Sequence, residues 1–157
     1  MSFFITYTRK VHRIKPPVGN YIVHSVPDGD GLLINYMEHQ IELRLKGIDA
    51  PEMGQPYGLQ ARQCLQRMVT YAHVKVVPYG FCKYGRTTAF VYIGGICLNE
   101  EMVRRGFAWV LGEYLTKEQR ILYTRMMNKA KAANLGLWAG TDIVHPSIWR
   151  KNYPYKG

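Results

Sequence analysis

The spacing of apolar residues changes once near Gly47, and this change limits the folds that the chain can adopt. From Ile41 to Lys46, apolar and charged residues alternate. Such alternation predicts a strand with one buried face and places Arg44 on the opposite face. In residues 57–69 the apolar residues instead recur at every third or fourth position, which predicts an amphipathic helix of about four turns. The chain therefore combines strands with helices.

Other short runs of β-branched and aromatic residues complete a set of predicted strands. The five predicted strands are 21–26, 32–36, 39–46, 73–77 and 87–93, followed by a Gly-Gly turn at 94–95 and a short run at 96–98. Asn99 as an N-cap and Gly106 as a C-terminal stop predict a short helix over 100–105, and a last helix is predicted over 117–134. This order is expected of an α+β, mainly β fold, a five-stranded OB-fold Greek-key barrel with three helices. Periodicity alone leaves other α+β arrangements open.

The 157 residues favour a single domain with two appended segments. A basic, aromatic arm, residues 1–18, ends in two prolines. The folded domain covers residues 19–140. A polar and aromatic tail, residues 141–157, is expected to pack on this domain or to extend it.

The excess of positive charge indicates a polyanionic partner. The chain has 21 Lys and Arg against 11 Asp and Glu, a net charge of +10. This charge favours nucleic acid over an anionic membrane surface, because no basic amphipathic helix is present. No apolar run has the length of a membrane span and the opening residues lack a signal-peptide core. The compartment stays open, cytoplasmic as the chain stands, or secreted or periplasmic if a leader has been removed.

The three cysteines give no sign of a disulfide framework or a zinc site. They are separated by 18 and 15 residues, with no CxxC pair. Cys64 and Cys97 lie among apolar residues and are interpreted as small core residues.

Carboxylates gather in two predicted loops. Asp28 and Asp30 occupy the turn after the first strand, and Asp49 and Glu52 occupy the loop after the third. If the loops converge, their oxygens suit a hard divalent cation, calcium or magnesium. Taken separately, the same residues are also typical of an ordinary turn and of the approach to a helix.

Two arginines strengthen the functional interpretation. Arg44 lies on the polar face of the strand that leads to Asp49, and Arg86 precedes the fifth strand. A guanidinium can bind a phosphate through two parallel hydrogen bonds. Acidic metal ligands flanked by two arginines on a basic barrel are the equipment needed to cleave a phosphodiester.

Four ordered motifs carry a resemblance to a known family. They are Asp28-Gly-Asp30, RLKGIDAPE at 44–52, KYGR at 83–86 and NEEMVRRGFA at 99–108. In this order and spacing they resemble the staphylococcal nuclease family over about residues 19–138. The resemblance implies an OB-fold barrel and a calcium-dependent phosphodiesterase that cleaves DNA and RNA at the 5′ P–O bond and leaves 3′-phosphates.

The resemblance also implies a metal site. Asp30 and Asp49 match the direct calcium ligands of the family, and the main-chain carbonyl of Ala50 matches a third ligand. Asp28 matches a nearby acidic residue that reaches the metal through water.

The catalytic positions of the family are occupied as well. Glu52 matches the glutamate that activates or positions the attacking water. Arg44 and Arg86 match the phosphate-binding arginines, and Arg86 also matches a role in the departure of the 5′ oxygen.

The nucleotide contacts implied by the resemblance are Lys83, Tyr84 and Tyr114, on a monomer that prefers single-stranded nucleic acid. Two positions depart from the family. Gly31 stands where a threonine is usual, which predicts weaker support of the metal, and Gly112 stands where a second tyrosine is expected.

A non-catalytic alternative uses the same fold. OB barrels often bind single strands through basic grooves and aromatic platforms, without any chemistry. The sequence favours the enzyme because all five charged catalytic positions of the family are retained. They are Asp30, Arg44, Asp49, Glu52 and Arg86.

Overall fold

Five long strands form a closed barrel, and helices pack around its connections. The structure is a computed structural model that describes residues 10–11, 13–70 and 72–154. The strands are β1 (Lys10–Val11), β2 (Gly19–Asp28), β3 (Gly31–Tyr36), β4 (His39–Leu45), β5 (Ile48–Asp49), β6 (His73–Phe81), β7 (Thr87–Ile93), β8 (Ile96–Cys97) and β9 (Trp109–Val110). The helices are α1 (Gly58–Val69), α2 (Leu98–Arg104), α3 (Lys117–Ala132) and α4 (Pro146–Asn152), with 3₁₀ turns at Gly112–Tyr114 and Gly136–Ala139.

The barrel follows the order β4-β3-β2-β6-β7 and closes by pairing β7 with β4. The closing pair is parallel, with Arg44 opposite Thr88, whereas the other barrel pairs are antiparallel. The predicted five-stranded OB-type barrel is therefore confirmed. Two short strands, β5 and β9, form a separate antiparallel pair that places Asp49 opposite Trp109.

The alternation in β4 determines which of its faces enters the core. Ile41, Leu43 and Leu45 are fully buried inside the barrel. The opposite face carries the charged residues, as predicted, but it is not open to solvent, since Glu42 is also buried. On this face Arg44 contacts Asp30 and Asp49, and Glu42 lies beside Arg86.

The predicted helices are present with shifted ends. The helix α1 buries Ala61, Cys64 and Leu65, and α3 begins at a capping box formed by Thr116 and Gln119. Cys64 and Cys97 are buried and unpaired, in agreement with the prediction.

The prediction that Asn99 is an N-cap is wrong. The helix α2 starts at Leu98, and Asn99 is buried inside it. The Asn99 side chain donates to the carbonyls of Lys46 and Ala89 and accepts from the N–H of Val91. Its polar group joins β7 to the residue that follows β4, instead of capping a helix.

The arm and the tail contain regular structure that was not predicted. Within the arm, β1 pairs in parallel with β4, residues 13–18 are also described, and residues 1–9 and 12 lie outside the described residues. Within the tail, α4 begins at Pro146, and the Nδ1 atom of His145 accepts from the N–H of Ser147. Among the described helices, none is long and apolar enough to cross a bilayer.

Candidate active site

Strand pairing brings the two acidic loops together. In the β3–β4 ladder Gly31 lies opposite Arg44, so the turn that carries Asp30 lies beside the arginine. The N–H of Leu45 donates to the carbonyl of Asp30 at 2.8 Å. The chain then returns through β5, which ends at Asp49. The predicted convergence of the turn and the loop is thus produced by one ladder and one short return.

Two glycines shape the turn. A Cβ atom on Gly29 would lie 2.7 Å from the Cβ of Ala61 and 2.9 Å from that of Ala50, so this turn packs tightly on α1. A Cβ on Gly31 would lie 2.7 Å from Oδ1 of Asp28. The absent side chain at Gly31 therefore leaves the space that the Asp28 carboxylate occupies, where it accepts from the N–H of Asp30 at 3.2 Å.

The guanidinium of Arg44 bridges two buried carboxylates. Its Nη1 atom lies 3.0 Å from Oδ2 of Asp30, and its Nη2 atom donates to Oδ1 of Asp49 at 3.1 Å. Asp30 is 5% exposed and Asp49 is 1% exposed. The same Asp30 oxygen accepts from the N–H of Ala50 at 2.7 Å. Arg44 thus fixes the two carboxylates relative to each other.

The surroundings of Asp30 favour its neutral form. Burial raises the pKa of Asp30 well above its usual value, the Arg44 guanidinium opposes this rise, and the charges of Asp28 and Asp49 add to it. Burial is therefore the main influence on the protonation of Asp30, ahead of the neighbouring charges.

A second arginine, from the tail, enters the same cluster. Nη1 and Nη2 of Arg150 donate to the two carboxylate oxygens of Asp49 at 3.2 and 2.9 Å. Nη1 also donates to Oε1 of Glu52 at 2.6 Å. The sequence reasoning did not select Arg150 as a site residue. The sequence does contain features typical of a short helix here. Pro146 suits the first position of a helix, and the basic residues Arg150 and Lys151 suit its last turn.

Arg86 lies beside this cluster without a direct bond to its carboxylates. Its Nη1 atom is 3.6 Å from Oε1 of Glu42, and its guanidinium lies over the Tyr84 ring at 5.7 Å. Burial opposes the net rise in the pKa of Arg86, which comes chiefly from Cys82 and to a smaller extent from the charges of Glu42 and Asp30. The alternation in β4 places Glu42 on the charged face of the strand but does not predict it as a neighbour of the site.

The predicted nucleotide contacts lie at the surface. Tyr84 is largely exposed, and Nζ of Lys83 lies 5.0 Å from the centre of its ring. Tyr114 is also exposed, at the end of a 3₁₀ turn. At Gly112 a Cβ atom would lie 2.6 Å from Cδ of Arg120, because the Arg120 side chain packs over this glycine.

The donor atoms of the cluster have the chemistry for a hard cation. No group of three or more His, Cys, Asp and Glu side chains is already arranged as a metal cage in the described residues. Oδ1 of Asp49 accepts two hydrogen bonds, whereas Oδ2 of Asp30 accepts one from the N–H of Ala50 and also forms an ion pair with Arg44. Oδ1 of Asp30 receives none within the described part of the chain, and Oδ2 of Asp49 receives one.

The charge balance of the cluster agrees with this chemistry. Four carboxyl groups, those of Asp28, Asp30, Asp49 and Glu52, lie in the cluster that Arg44 and Arg150 bind, so carboxyl groups outnumber these two guanidiniums. Calcium takes six to eight oxygen ligands, which backbone carbonyls and water can complete. The residues present therefore fit a divalent cation.

Comparisons with known proteins point to one family. The sequence model of a family described as Staphylococcal nuclease homologue matches residues 42–140. A probable staphylococcal-like nuclease of Oryza sativa subsp. japonica is 33% identical over 132 residues, which are 84% of this chain and 33% of that protein. An uncharacterized endonuclease of Haemophilus influenzae is 34% identical over 82% of this chain and 71% of its own length. An uncharacterized endonuclease of Escherichia coli O157:H7 is 35% identical over 82% of each chain.

These matches cover only part of the plant relatives and only part of this chain. The chain spans about a third of the length of the plant relatives that it matches. The family match begins at Glu42 and ends at Gly140. Asp28 and Asp30 precede the matched residues, and Arg150 follows them.

Proposed function

We propose that this chain, which belongs to the staphylococcal nuclease family, is a calcium-dependent phosphodiesterase that hydrolyses DNA and RNA. The observation that carries the proposal is the guanidinium of Arg44 held between two buried carboxylates, Asp30 and Asp49. Buried charges are retained at a cost in stability, and a cleft that concentrates them is typical of a site that binds and transforms a charged group.

The two arginines predicted at the sequence level would bind the phosphate. Arg44 is fixed by its carboxylates and Arg86 by Glu42 and the Tyr84 ring. A guanidinium held in place before the substrate arrives needs no reorganisation as charge develops on the phosphate oxygens. We assign Arg86 the additional task of assisting the departure of the 5′ oxygen, so that the phosphate stays on the 3′ side.

Glu52 would orient the attacking water. Its carboxylate is 35% exposed, which lets water reach it, while Asp49 beside it is buried. A carboxylate oxygen that accepts a proton from water aims the oxygen of that water at the phosphorus atom.

The proposed cofactor is calcium, which the family resemblance implies and which the oxygen donors of the cluster suit. Asp30 and Asp49, with the main-chain carbonyl of Ala50 and Asp28 through water, would hold the ion. When bound, the ion would supply positive charge that offsets the charge of the scissile phosphate.

The substrate would be nucleic acid in single-stranded form, bound by a monomer. Lys83 carries a positive charge beside the exposed ring of Tyr84, and Tyr114 offers a second exposed ring. Unpaired bases can stack on such rings, whereas a duplex keeps its bases inside. The net charge of +10 adds sequence-independent attraction to the phosphate backbone.

The test is hydrolysis of single-stranded DNA and of RNA by the purified chain with calcium, with magnesium and with a chelator. We expect cleavage with calcium, loss of cleavage with the chelator, and products that carry 3′-phosphates. Tight binding without cleavage under every condition would support the non-catalytic binding module instead. Products that carry 5′-phosphates would reject the proposed bond while retaining a nuclease.

A further inference from the structure

We propose that Arg150, on the C-terminal helix α4, is a positioning residue that holds the carboxylate of Glu52 in its working orientation. The inference rests on the function proposed above. Arg150 lies ten residues beyond the end of the family match, which stops at Gly140, so the matched motifs do not assign it a role.

Arg150 is the hydrogen-bond partner that restrains the side chain of Glu52. Its carboxylate is partly exposed, and the bond to Arg150 is the one hydrogen bond that its side chain makes within the described residues. A half-exposed glutamate without such a partner samples several rotamers. Arg150 therefore supplies the restraint that Glu52 lacks from its own loop.

Asp49 anchors the other side of the Arg150 guanidinium. It is buried, bonded to Arg44, and accepts two further hydrogen bonds from Arg150. The planar guanidinium of Arg150 bonds to both the buried carboxylate of Asp49 and the partly exposed carboxylate of Glu52, so the fixed position of Asp49 restrains Glu52. These bonds also raise the pKa of Arg150, which keeps it charged.

The tail that carries Arg150 is itself attached to the residues around Glu52 and Asp49. Gln55 is buried, its Oε1 atom accepts from the N–H of Glu52 at 3.0 Å, and its Nε2 atom donates to the carbonyl of Val144. His145 packs against Trp109 with ring centres 5.2 Å apart, and Trp109 pairs with Asp49 across β5 and β9. The start of α4 is thus attached on both sides of the cluster.

The contact between Arg150 and Glu52 matters because the rate depends on the orientation of the Glu52 carboxylate. Water can hydrogen-bond to the carboxylate of an exposed glutamate in several orientations, and a wrong rotamer would turn it away from the phosphorus atom. Misplacement of a reacting group by about 1 Å can lower a rate by about a hundredfold. We therefore expect the effect of Arg150 in the turnover rate and not in the affinity for substrate.

The experiment is a double-mutant cycle between Arg150 and Glu52, with kcat and KM measured on single-stranded DNA in calcium. The variants are Arg150→Ala, Glu52→Gln and the double variant. Lys151→Ala is the matched control, because Lys151 is an exposed basic residue on the same helix and makes no ion pair within the described residues. Arg150→Lys tests whether charge without the planar fork suffices.

We expect Arg150→Ala to lower kcat by about ten- to a hundredfold with KM changed less than about threefold. In the Glu52→Gln background the same change should have almost no further effect, because both residues then belong to one disabled unit. Arg150→Lys should recover part of the loss, and Lys151→Ala should match the wild type.

Equal losses from Arg150→Ala in both backgrounds would overturn the proposal, and a loss confined to KM would make Arg150 a phosphate ligand instead. An inactive wild type would reject the proposed function, and a second measurement then decides the contact alone. The ¹⁵N resonances of the Arg150 guanidinium should shift in Glu52→Gln and stay in place in Lys151→Ala. Resonances that do not respond to Glu52→Gln would overturn the proposal.

Discussion

At the scale of single residues, Arg44 contributes both to the stability of the fold and to the proposed catalysis. It is the bonded cation shared by two carboxylates with almost no exposure to water, Asp30 and Asp49. Removal of its charge would leave both acids close together in the interior without that partner. The residue is therefore expected to be structural as well as functional.

We predict that Arg44→Ala lowers the free energy of unfolding by about 3 kcal/mol, the usual consequence of leaving a buried charge without its partner. Urea denaturation followed by circular dichroism measures this difference. The control is Arg67→Ala, since Arg67 is exposed on α1, and it should change stability by less than about 0.5 kcal/mol. An Arg44→Ala protein as stable as the wild type would show that the bridge does not support the fold.

We predict that Glu52→Gln lowers the hydrolysis rate by about two to three orders of magnitude, because an amide cannot accept a proton from the attacking water. Binding of single-stranded DNA in a chelator should change less than about twofold, since Glu52 does not contribute to phosphate attraction. Single-turnover rates and fluorescence anisotropy provide the two numbers. Equal rates for the variant and the wild type would remove Glu52 from the mechanism.

The candidate site could be predicted only where neighbours in space are also close in the ladder or the loop. Asp30, Arg44 and Asp49 converge through one strand pairing and one short return, and the motifs indicated this. Arg150 bonds to Asp49 across 101 positions of sequence. No local pattern specifies such a contact, because it depends on how the tail docks.

At the scale of elements, α4 is the clearest addition to what the sequence predicted. It has only seven residues, too few for an apolar period to be recognised, and its stability comes from docking and not from propensity. His145 caps its first turn and packs on Trp109. The polar composition of the tail concealed an ordered element.

His145 makes the docking of α4 sensitive to pH. Burial lowers the pKa of His145, and the nearby Arg150 charge adds to this, against the opposite influence of Asp49 and Glu113. Below the unfolded pKa of about 6.5, the unfolded chain binds a proton more readily than the folded one. The contribution of His145 to stability is therefore present above that pH and lost as the pH falls.

We predict that the loss of stability between pH 7.5 and pH 5.5 is smaller in His145→Asn than in the wild type. Asparagine keeps a capping acceptor but does not titrate. Asp30, whose raised pKa acts in the opposite direction, is present in both proteins and cancels in the comparison. Chemical denaturation at the two pH values measures the difference, and identical pH dependence would show that His145 does not couple α4 to pH.

At the scale of the whole molecule, the fold was predictable because local patterns and topology agree. The alternation in β4 predicted a barrel strand, and the change of period after Gly47 predicted the helix α1. The parallel closure of β7 on β4 joins segments more than forty residues apart, and only the overall order of elements suggested it. Asn99 shows the limit of local reasoning, since a residue suited to capping is used inside the core.

The net charge of +10 should govern binding of nucleic acid. We predict that the affinity for single-stranded DNA, measured by anisotropy in a chelator, falls steadily as salt rises, because phosphate contacts release counterions. Lys83→Ala should reduce the magnitude of the slope of log affinity against log salt by about 0.7, the value expected for one lost contact. An affinity that does not depend on salt would contradict the basic binding surface.

The central claim is that the Arg44 cluster hydrolyses phosphodiesters, and the most direct measurement is calcium-dependent cleavage of single-stranded DNA by Arg44→Lys. Lysine keeps a positive charge between the buried carboxylates but lacks the planar fork for a phosphate. We predict a loss of about two to three orders of magnitude in kcat with the fold retained, and no loss in the exposed control Arg67→Lys. Wild-type turnover in Arg44→Lys would contradict the assignment of this cluster as the active site.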